Sequence, residues 1–462
     1  MTDSQVAAGS WRELLGPKNL GASTVLAGGV ALYATNEFLT ISLMPSAVAE
    51  IGGHRFYAWV TTVYLVGSVM AATTVHALLM RAGPRLAYLL ALSVFGFGSL
   101  GCAVAPSMEV LLAGRTVQGA AGGLLAGLGY AVINTALPSV LWTRASALVS
   151  AMWGVGTLLG PAAGGLFAQF GSWRWAFGVL VVMTVAMSVL VPISLPAGRN
   201  AVVVNRIRVP WRSLLLLGGA ALAMSVAGLP SDVRWTVVLV VAAALAVVLF
   251  VVADRRAVAS VLPPSAFGPG PLKWIYLTLG ALMAATMVDM YVPLFGQRLA
   301  HLAPVAAGFL AAGLAIGWTV AEMVSASLRR SRTIVRVVTV APLVMAAGLV
   351  ISALTQYEDA SWVLIACWAV GLTFSGVGIG MAWPHLSAWA MSEVADPAEG
   401  PVAAAAINTV QIISAAFGAA LAGVVVNLSD QGDATAARWL FGSFAVLAAL
   451  TVVAASRTSR SA

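Results

Sequence analysis

The 462-residue chain is strongly apolar: hydrophobic side chains make up 60% of it, charged side chains make up 9%, and its mean hydropathy is +0.96. A soluble domain carries about 25% charged residues, so the composition excludes an ordinary soluble enzyme or binding module and predicts a polytopic membrane protein. The net charge of +8 would suit a nucleic-acid partner, but the placement of the basic residues explains it differently.

Apolar stretches of about 20 residues, each long enough for a helix to cross ~30 Å of hydrocarbon, recur along the chain. Fourteen spans are predicted, at 22–45, 56–80, 85–106, 109–138, 145–170, 174–197, 213–230, 235–252, 273–296, 304–328, 334–355, 361–390, 402–428 and 437–456. The first twenty residues include charged side chains and lack an apolar core. We therefore expect no cleaved signal peptide, and a first span that acts as an uncleaved anchor.

The basic residues follow the positive-inside rule. With both termini in the cytoplasm, 18 of the 24 Lys and Arg residues fall on the cytoplasmic side, five fall outside, and Arg115 lies within a span. This asymmetry predicts a multi-pass membrane protein with both termini cytoplasmic, and we expect the membrane to be a bacterial plasma (inner) membrane. Nucleic acid need not be invoked as a partner.

The spans fall into three blocks, which we take as domains: a six-helix bundle at 1–197, a basic linker with two extra spans at 198–256, and a second six-helix bundle at 257–462. A polar break from Pro230 to Arg234 separates the extra spans and favours a full crossing and return. The charge pattern alone leaves twelve and fourteen spans open, because adding a hairpin leaves the downstream orientation unchanged.

Span 1 carries an acid deep in an apolar segment. Tyr33, Glu37 and Thr40 have helical spacing and share one face, with Asn36 beside it. An intramembrane carboxylate is costly and is by default a functional hypothesis. Glu37 is therefore a candidate for proton coupling, and the other three residues are candidates for substrate binding. The alternative for Glu37 is a hydrogen-bonded structural acid.

Span 4 holds a cation, Arg115, followed by Gln118, Tyr130 and Asn134. An Arg at the centre of a span costs ~2.5–3.5 kcal/mol on translocon-based scales, which predicts a partner or a wet cavity. Arg115 joins the proton-coupling candidates, and the three polar residues join the substrate-binding candidates. The alternative places Arg115 near the outer end of the span, where its side chain snorkels to the interface.

Span 5 contains a stripe of small residues. Gly156, Gly160 and Gly164 recur every fourth residue, and Pro161 lies beside them. Such a stripe lets a neighbouring backbone approach closely, and a proline loosens the helix locally. We assign these four residues to packing and gating; the alternative is generic close packing of membrane helices.

The later half contributes two further acids within spans, Asp289 and Glu322. Both are candidates for proton coupling, although Glu322 could instead pair near the cytoplasmic arginines. Neighbouring aromatic, polar and methionine side chains are candidate substrate ligands: Met290, Trp318, Trp383, His385, Asn408 and Gln411. Plain packing is the alternative for the methionine, and a hydrogen-bonded position at a helix end is the alternative for the histidine.

Three of these patterns resemble signatures of the fourteen-span drug/proton antiporter branch of the major facilitator superfamily. They are the glycine–proline run of span 5, the segment Arg115-Thr-Val-Gln118-Gly119, and Glu37 about two turns before Leu43-Met44-Pro45. The resemblance implies an all-α membrane protein of two six-helix bundles, plus two extra linking transmembrane helices, with the substrate path between the halves.

The same resemblance assigns the turn after span 2 to a cytoplasmic gate. Arg81, Gly83 and Arg85 match the family pattern. His76 stands where the family has a glycine and Met80 where it has an acid, so this turn lacks the acid of the family's charge-to-helix contact.

The function that follows is proton-coupled export of amphipathic or cationic small molecules, that is, a multidrug efflux antiporter. The expected partners are a small-molecule substrate, protons and the lipid bilayer, and the chain is expected to be a monomer. No enzyme activity, cofactor or metal is expected, because a phosphate-binding loop motif and metal-ligand spacings are missing from the sequence. The alternatives are an exporter of one specific lipid or metabolite and, more remotely, a non-transporting membrane scaffold or sensor.

Overall fold

The computed structural model describes residues 10–197, 209–229, 233–257, 259–396, 399–429 and 431–458, and its regular structure in these ranges is entirely helical. The long helices are α1 (Leu20–Ile51), α2 (Trp59–Ala72), α3 (Val75–Ala103), α4 (Met108–Ala131), α5 (Trp142–Phe170), α6 (Trp173–Ser194) and α7 (Trp211–Val226). They continue with α8 (Val233–Arg255), α9 (Leu272–Leu299), α10 (Pro304–Ala326), α11 (Ser331–Leu354), α12 (Trp362–Ser392), α13 (Gly400–Asn427) and α14 (Asp433–Thr458). Short helical turns lie at Trp11–Leu14, His54–Phe56, Ile133–Ala136, Ser139–Leu141 and Pro264–Phe267.

The prediction of an all-α fold is confirmed, and a helix lies at each predicted span. Within the described ranges, ten helices are both long and apolar enough to cross a membrane: α3, α5, α6 and α8 to α14. The other four are α1, α2, α4 and α7. The helices α2 and α7 have 14 and 16 residues, and polar side chains lower the hydropathy of α1 and α4. The count of fourteen spans is therefore not confirmed and stays a prediction.

The helices form two compact units. Unit 1 comprises Met1–Thr40 and Gly67–Val209, and unit 2 comprises Ile41–Val66 and Pro210–Ala462. The division falls inside α1 and α2, so the tip of the first helical hairpin belongs with the C-terminal helices. The predicted domain boundaries at 197 and 256 remain predictions, and most of the predicted basic linker, 198–208, lies outside the described residues.

Two helix boundaries in unit 1 differ from the predicted spans. The predicted second span, 56–80, is interrupted after Ala72, where the hydroxyls of Thr73 and Thr74 donate to the carbonyls of Met70 and Ala71. The predicted gate turn lies inside α3, which is kinked at Gly83. Gly83 has a φ of 75°, which favours glycine, and the proline that follows it prevents a regular helix.

The helix α9 is interrupted by a 3-10 turn, Met287–Tyr291, that contains Asp289. Pro293 has no N–H, so the carbonyl of Asp289 loses its α-helical donor. That carbonyl instead accepts from the N–H of Val292, and the chain tightens locally into a 3-10 turn. Of the ten spans, α9 is the most deeply buried. The second of the three acid-bearing spans, which carries Asp289, is thus enclosed by protein.

The extra hairpin of α7 and α8 belongs to unit 2. Gly228, after the end of α7, packs against Val424 of α13. The helix α8 is the most exposed of the ten spans and buries few side chains, among them Thr236, Ala243 and Phe250. An apolar helix with this exposure suits contact with lipid at the periphery of the unit.

We predict that the α7–α8 hairpin crosses the membrane and returns. A cysteine at Ser231, which lies outside the described residues, should react with an impermeant thiol reagent applied from outside. Ala257→Cys, in the exposed segment after α8, serves as the control and should react from the cytoplasmic side. Labelling of both positions from the cytoplasmic side would contradict the fourteen-span topology.

Candidate functional site

The centre of unit 1 is a buried network around Arg115. The Arg115 side chain is 1% exposed, and its Nη1 donates to Asn36 Oδ1 at 3.1 Å and to Gln118 Oε1 at 2.9 Å. The Gln118 amide nitrogen donates to Ser99 Oγ at 2.8 Å, and the Cys102 thiol lies 3.5 Å from Gln118 Oε1. Arg115 is therefore held inside the protein, and the alternative of a snorkelling arginine does not apply.

Glu37 lies next to this network. It follows Asn36 in α1, and the positive charge of Arg115 acts on its carboxylate. The carboxylate oxygen Oε2 is buried and has no hydrogen-bond partner among the described residues. A buried polar atom without a partner is costly unless water, a proton or a ligand satisfies it. Oε2 of Glu37 is thus an acceptor that none of the described residues satisfies.

The glycine stripe of α5 packs against the part of α1 that carries Glu37. A Cβ added at Gly156 would lie 2.7 Å from Ala34 Cβ, and one added at Gly160 would lie 2.5 Å from Phe38 Cβ. Pro161 and Gly164 are also buried. One turn before the stripe, the Trp153 ring meets Tyr33 edge-on, with ring centroids 5.4 Å apart. The stripe therefore sets the distance between α5 and the helix that carries the acid.

In unit 2, Asp289 and Met290 occupy the 3-10 turn of α9. Asp289 is 8% exposed and Met290 is 2% exposed. The carbonyl of Met290 accepts a hydrogen bond from the Tyr57 hydroxyl at 3.1 Å. Because a 3-10 turn has about 3.0 residues per turn, the Asp289 side chain does not follow the α-helical spacing of its neighbours.

A second acid of unit 2 lies beside two indole rings. Trp318 Nε1 donates to Glu322 Oε2 at 2.9 Å, and the Trp318 and Trp383 ring centroids are 5.3 Å apart. Glycines of α12 allow it to pack closely against α10. A Cβ at Gly376 would clash with the Leu314 carbonyl, and one at Gly380 would clash with the Trp318 carbonyl. The side chains of Trp318, Glu322 and Trp383 are all partly exposed.

His385 is 8% exposed and pairs with Ser325. The Ser325 hydroxyl donates to the Met381 carbonyl at 2.7 Å, and His385 Nε2 lies 2.9 Å from the same hydroxyl oxygen. Because the single hydroxyl proton is used by Met381, His385 Nε2 must donate, which fixes the Nε2–H tautomer. This geometry supports the alternative of a hydrogen-bonded histidine in the helix.

The predicted substrate ligands divide into two groups by exposure. Tyr130, Asn134, Trp318, Trp383, Asn408 and Gln411 are exposed or half-buried. Tyr33, Asn36, Thr40, Gln118, Met290 and His385 are buried. Several of the buried side chains already form hydrogen bonds within the protein. The Thr40 hydroxyl, for example, donates to the Asn36 carbonyl of its own helix. In this conformation the six buried side chains pack within the protein, and their role as substrate ligands stays a prediction.

The predicted gate residues are found at the kink of α3. Arg85 donates from Nε and Nη2 to the Leu195 carbonyl, which follows the end of α6, at 3.1 and 3.0 Å. Arg81 is exposed and Gly83 is buried. Arg85 therefore ties α3 to the end of α6, which is a neutral helix-end contact rather than a pair with an acid.

Sequence reasoning missed Ser99, Cys102 and Ser325, which anchor Gln118 and His385. Ser99 and Cys102 are three residues apart in α3 and lie on one helical face. This spacing was the available signal, but small polar residues are common in packed membrane helices and their partners depend on tertiary structure.

Comparison with known proteins agrees with this architecture. The Major Facilitator Superfamily profile matches residues 26–419. The chain is 63% identical over 459 residues to "Probable multidrug-efflux transporter Rv1634" of Mycobacterium tuberculosis, covering 98% of this chain and 97% of the relative. The inward-open xylose transporter XylE from E. coli aligns with a TM-score of 0.64 at 14% identity, over 93% of this chain and 94% of XylE. A bacterial homologue of the human lysosomal transporter Spinster aligns with a TM-score of 0.63 at 13% identity, over 97% of both chains.

The helices and buried charges define a multi-pass membrane transport protein. The chain belongs to the major facilitator superfamily, whose members carry small-molecule substrates across membranes. The predicted superfamily is thereby confirmed.

We predict that Gly160→Leu abolishes transport although the protein still reaches the membrane. Overpacking a close contact costs about 1–3 kcal/mol or shifts the backbone, and here it would push α5 away from Phe38 and displace Glu37. Gly154→Leu is the matched control, because a Cβ at Gly154 meets no atom within 4 Å. Vesicle uptake at equal membrane levels is the measurement; equal activity of the two variants would contradict the packing argument.

Proposed function

We propose that the chain is a proton-coupled exporter of amphipathic or cationic small molecules across the bacterial plasma membrane. The observation that carries this proposal is the Glu37 carboxylate, placed beside a buried cation with one oxygen unsatisfied. A carboxylate in that position can bind a proton or a cationic ligand, but not both at once. The name of the relative that is 63% identical supports efflux of more than one compound.

The Trp318–Trp383–Glu322 cluster supports the substrate class. Aromatic faces attract cations by about 0.5–2 kcal/mol, with the larger values in desolvated sites. The carboxylate of Glu322 adds an opposite charge, and the indole rings add apolar surface for an amphipathic compound. Such a site selects ligands by their charge and overall shape, which suits a broad range of substrates.

Export of a cation requires a source of free energy. Each positive charge exported against an inside-negative potential costs about 2.3 kcal/mol per 100 mV, so a cationic substrate does not leave by the electrical gradient. Inward flow of protons supplies the free energy. The three acids Glu37, Asp289 and Glu322 are the groups that exchange protons in this scheme, and Arg115 tunes the acid beside it.

Binding competition gives the simplest antiport cycle. A protonated acid releases its proton when a cation approaches, and reprotonation displaces the cation on the other side. The alternation of access is the rocking of two halves that the parallel-repeat plan provides. We further propose that the working unit is a monomer with both termini in the cytoplasm.

We predict that Glu37→Gln and Asp289→Asn each abolish export driven by a pH gradient while leaving substrate binding measurable. Both substitutions keep size and hydrogen-bonding capacity and remove titration. The measurement is transport of a fluorescent cation in inverted vesicles with an imposed pH gradient, next to equilibrium binding to the purified protein. Glu109→Gln, at the exposed start of α4, is the control and should transport normally.

Export by both variants with unchanged pH dependence would show that these acids are structural. A panel of unrelated substrates tests breadth in the same vesicles. Transport confined to one lipid or metabolite would favour the specific exporter, and no transport of any kind would favour a scaffold or sensor.

A further inference from the structure

The tip of the first helical hairpin, residues 52–59, consists of a segment with an irregular backbone, 52–58, and the first residue of α2. Gly52 and Gly53 have φ values of 72° and 80°, a conformation that favours glycine. A single 3-10 turn, His54–Phe56, follows. This tip connects α1 and α2 and lies within unit 2.

Aromatic contacts hold one side of the tip. The Tyr57 ring stacks on Tyr291 of α9, with centroids 4.8 Å apart and an angle of 24°, and its hydroxyl donates to the Met290 carbonyl. Trp59 Nε1 donates to the Ser225 carbonyl of α7 at 3.2 Å. The tip is therefore docked against the helix that carries Asp289.

Backbone carbonyls at helix ends hold the other side. Arg55 Nη1 donates to the Leu229 carbonyl at 2.9 Å. Asn427, at the end of α13, donates to the Arg55 carbonyl at 2.9 Å and to the Gly228 carbonyl at 3.2 Å. These bonds are polar and lie near the surface, so they can exchange for bonds to water at small cost.

His54 occupies the exposed edge of this contact. Its Nδ1 lies 3.4 Å from Arg298 Nη2, and Arg298 Nη1 is bonded to Asp433 at 3.0 Å. Arginine nitrogens only donate, so the contact requires a neutral His54 with Nδ1 as acceptor. Protonation of His54 would place two positive groups against each other.

We propose that His54 is a pH-sensitive latch residue: while neutral it accepts a hydrogen bond from Arg298 and helps to keep the tip docked, and when protonated it repels Arg298 and weakens the docking, so that the tip leaves α9 and α7 more often. Histidine is the side chain that changes charge between pH 5 and 8. Release would uncover Tyr291 and Ser225. The latch adds to the proposed antiport a response to the pH of the compartment that the tip faces.

Other charged groups at this end of unit 2 bear on the argument. They are Glu50 and Arg55 on either side of His54, Arg298 on α9, Asp433 on α14, and the loop residues His301, Glu358 and Asp359. His301 Nε2 lies 2.8 Å from Asp359. His301 therefore contacts an acid where His54 contacts Arg298, and it is a matched control histidine at this end of the unit.

The test is the rate at which Ser225→Cys reacts with a thiol reagent in the purified protein. Ser225 is 3% exposed and its carbonyl accepts the hydrogen bond of Trp59, and cysteine is nearly the same size. A repulsion of about 1 kcal/mol between charges at this distance in a water-like medium predicts a rate about five-fold higher at pH 5.5 than at pH 8. Because His54 is exposed, the pH effect should shrink at 1 M salt, where the Debye length is about 3 Å.

Variants at position 54 separate charge from shape. In the Ser225→Cys background, His54→Gln should react slowly at every pH, His54→Lys should react quickly at every pH, and His301→Gln should keep the original pH response. Reaction of the protein without Ser225→Cys gives the background from Cys102 and Cys367. The latch is overturned if His54→Gln keeps the pH response, if His301→Gln removes it, or if Ser225→Cys never reacts.

The proposed orientation in the membrane decides only which compartment's pH acts on the latch. Glu358→Cys, which is exposed, should react with an impermeant reagent in intact cells if this end faces outward. A failure there overturns the orientation given under the proposed function. The pH response of the purified protein decides the latch separately, whatever compound is transported.

Discussion

The buried guanidinium of Arg115 is the interaction around which unit 1 is organised. A cation inside a protein is tolerated only where neighbouring groups replace its hydration. Asn36 and Gln118 supply the acceptors, Ser99 orients Gln118, and the Glu37 carboxylate provides opposite charge. These groups come from α1, α3 and α4, so one charge fixes the register of three helices and the position of the acid beside it.

Close backbone approach gives both units the same means of placing an acid. Between membrane helices the hydrophobic effect contributes little, and van der Waals packing of small residues takes its place. Gly160 sets the distance to the α1 segment that bears Glu37, and Gly380 sets the distance to Trp318, whose indole binds Glu322. Glycine in these positions specifies where a carboxylate lies as much as it specifies how tightly helices pack.

The sequence alone identifies the charged candidates, because an acid or Arg115 stands out in an apolar segment, and their roles stay predictions. It predicts their partners poorly: Ser99 resembles any small packing residue until α3 is placed against α4. Helix ends show the same limit. The 3-10 turn at Asp289 follows from the missing N–H of Pro293 and could have been predicted, whereas the break at Thr73 depends on hydroxyl bonds that helical sequences also form. The fourteen-span count is not confirmed for a related reason, because the polar side chains of α1 and α4 lower the hydropathy by which spans are counted.

Spans that carry polar side chains are enclosed by other helices, and this burial compensates for their low hydropathy. The helix α8 carries few polar groups and is the most exposed span, whereas α9, with its acid, is the most enclosed. The helix α1 is divided between the two units: Glu37 lies in unit 1, and the residues from Ile41 onward belong to unit 2. Pro45 removes the α-helical donor for the Ile41 carbonyl, so α1 is weakest where its contacts change.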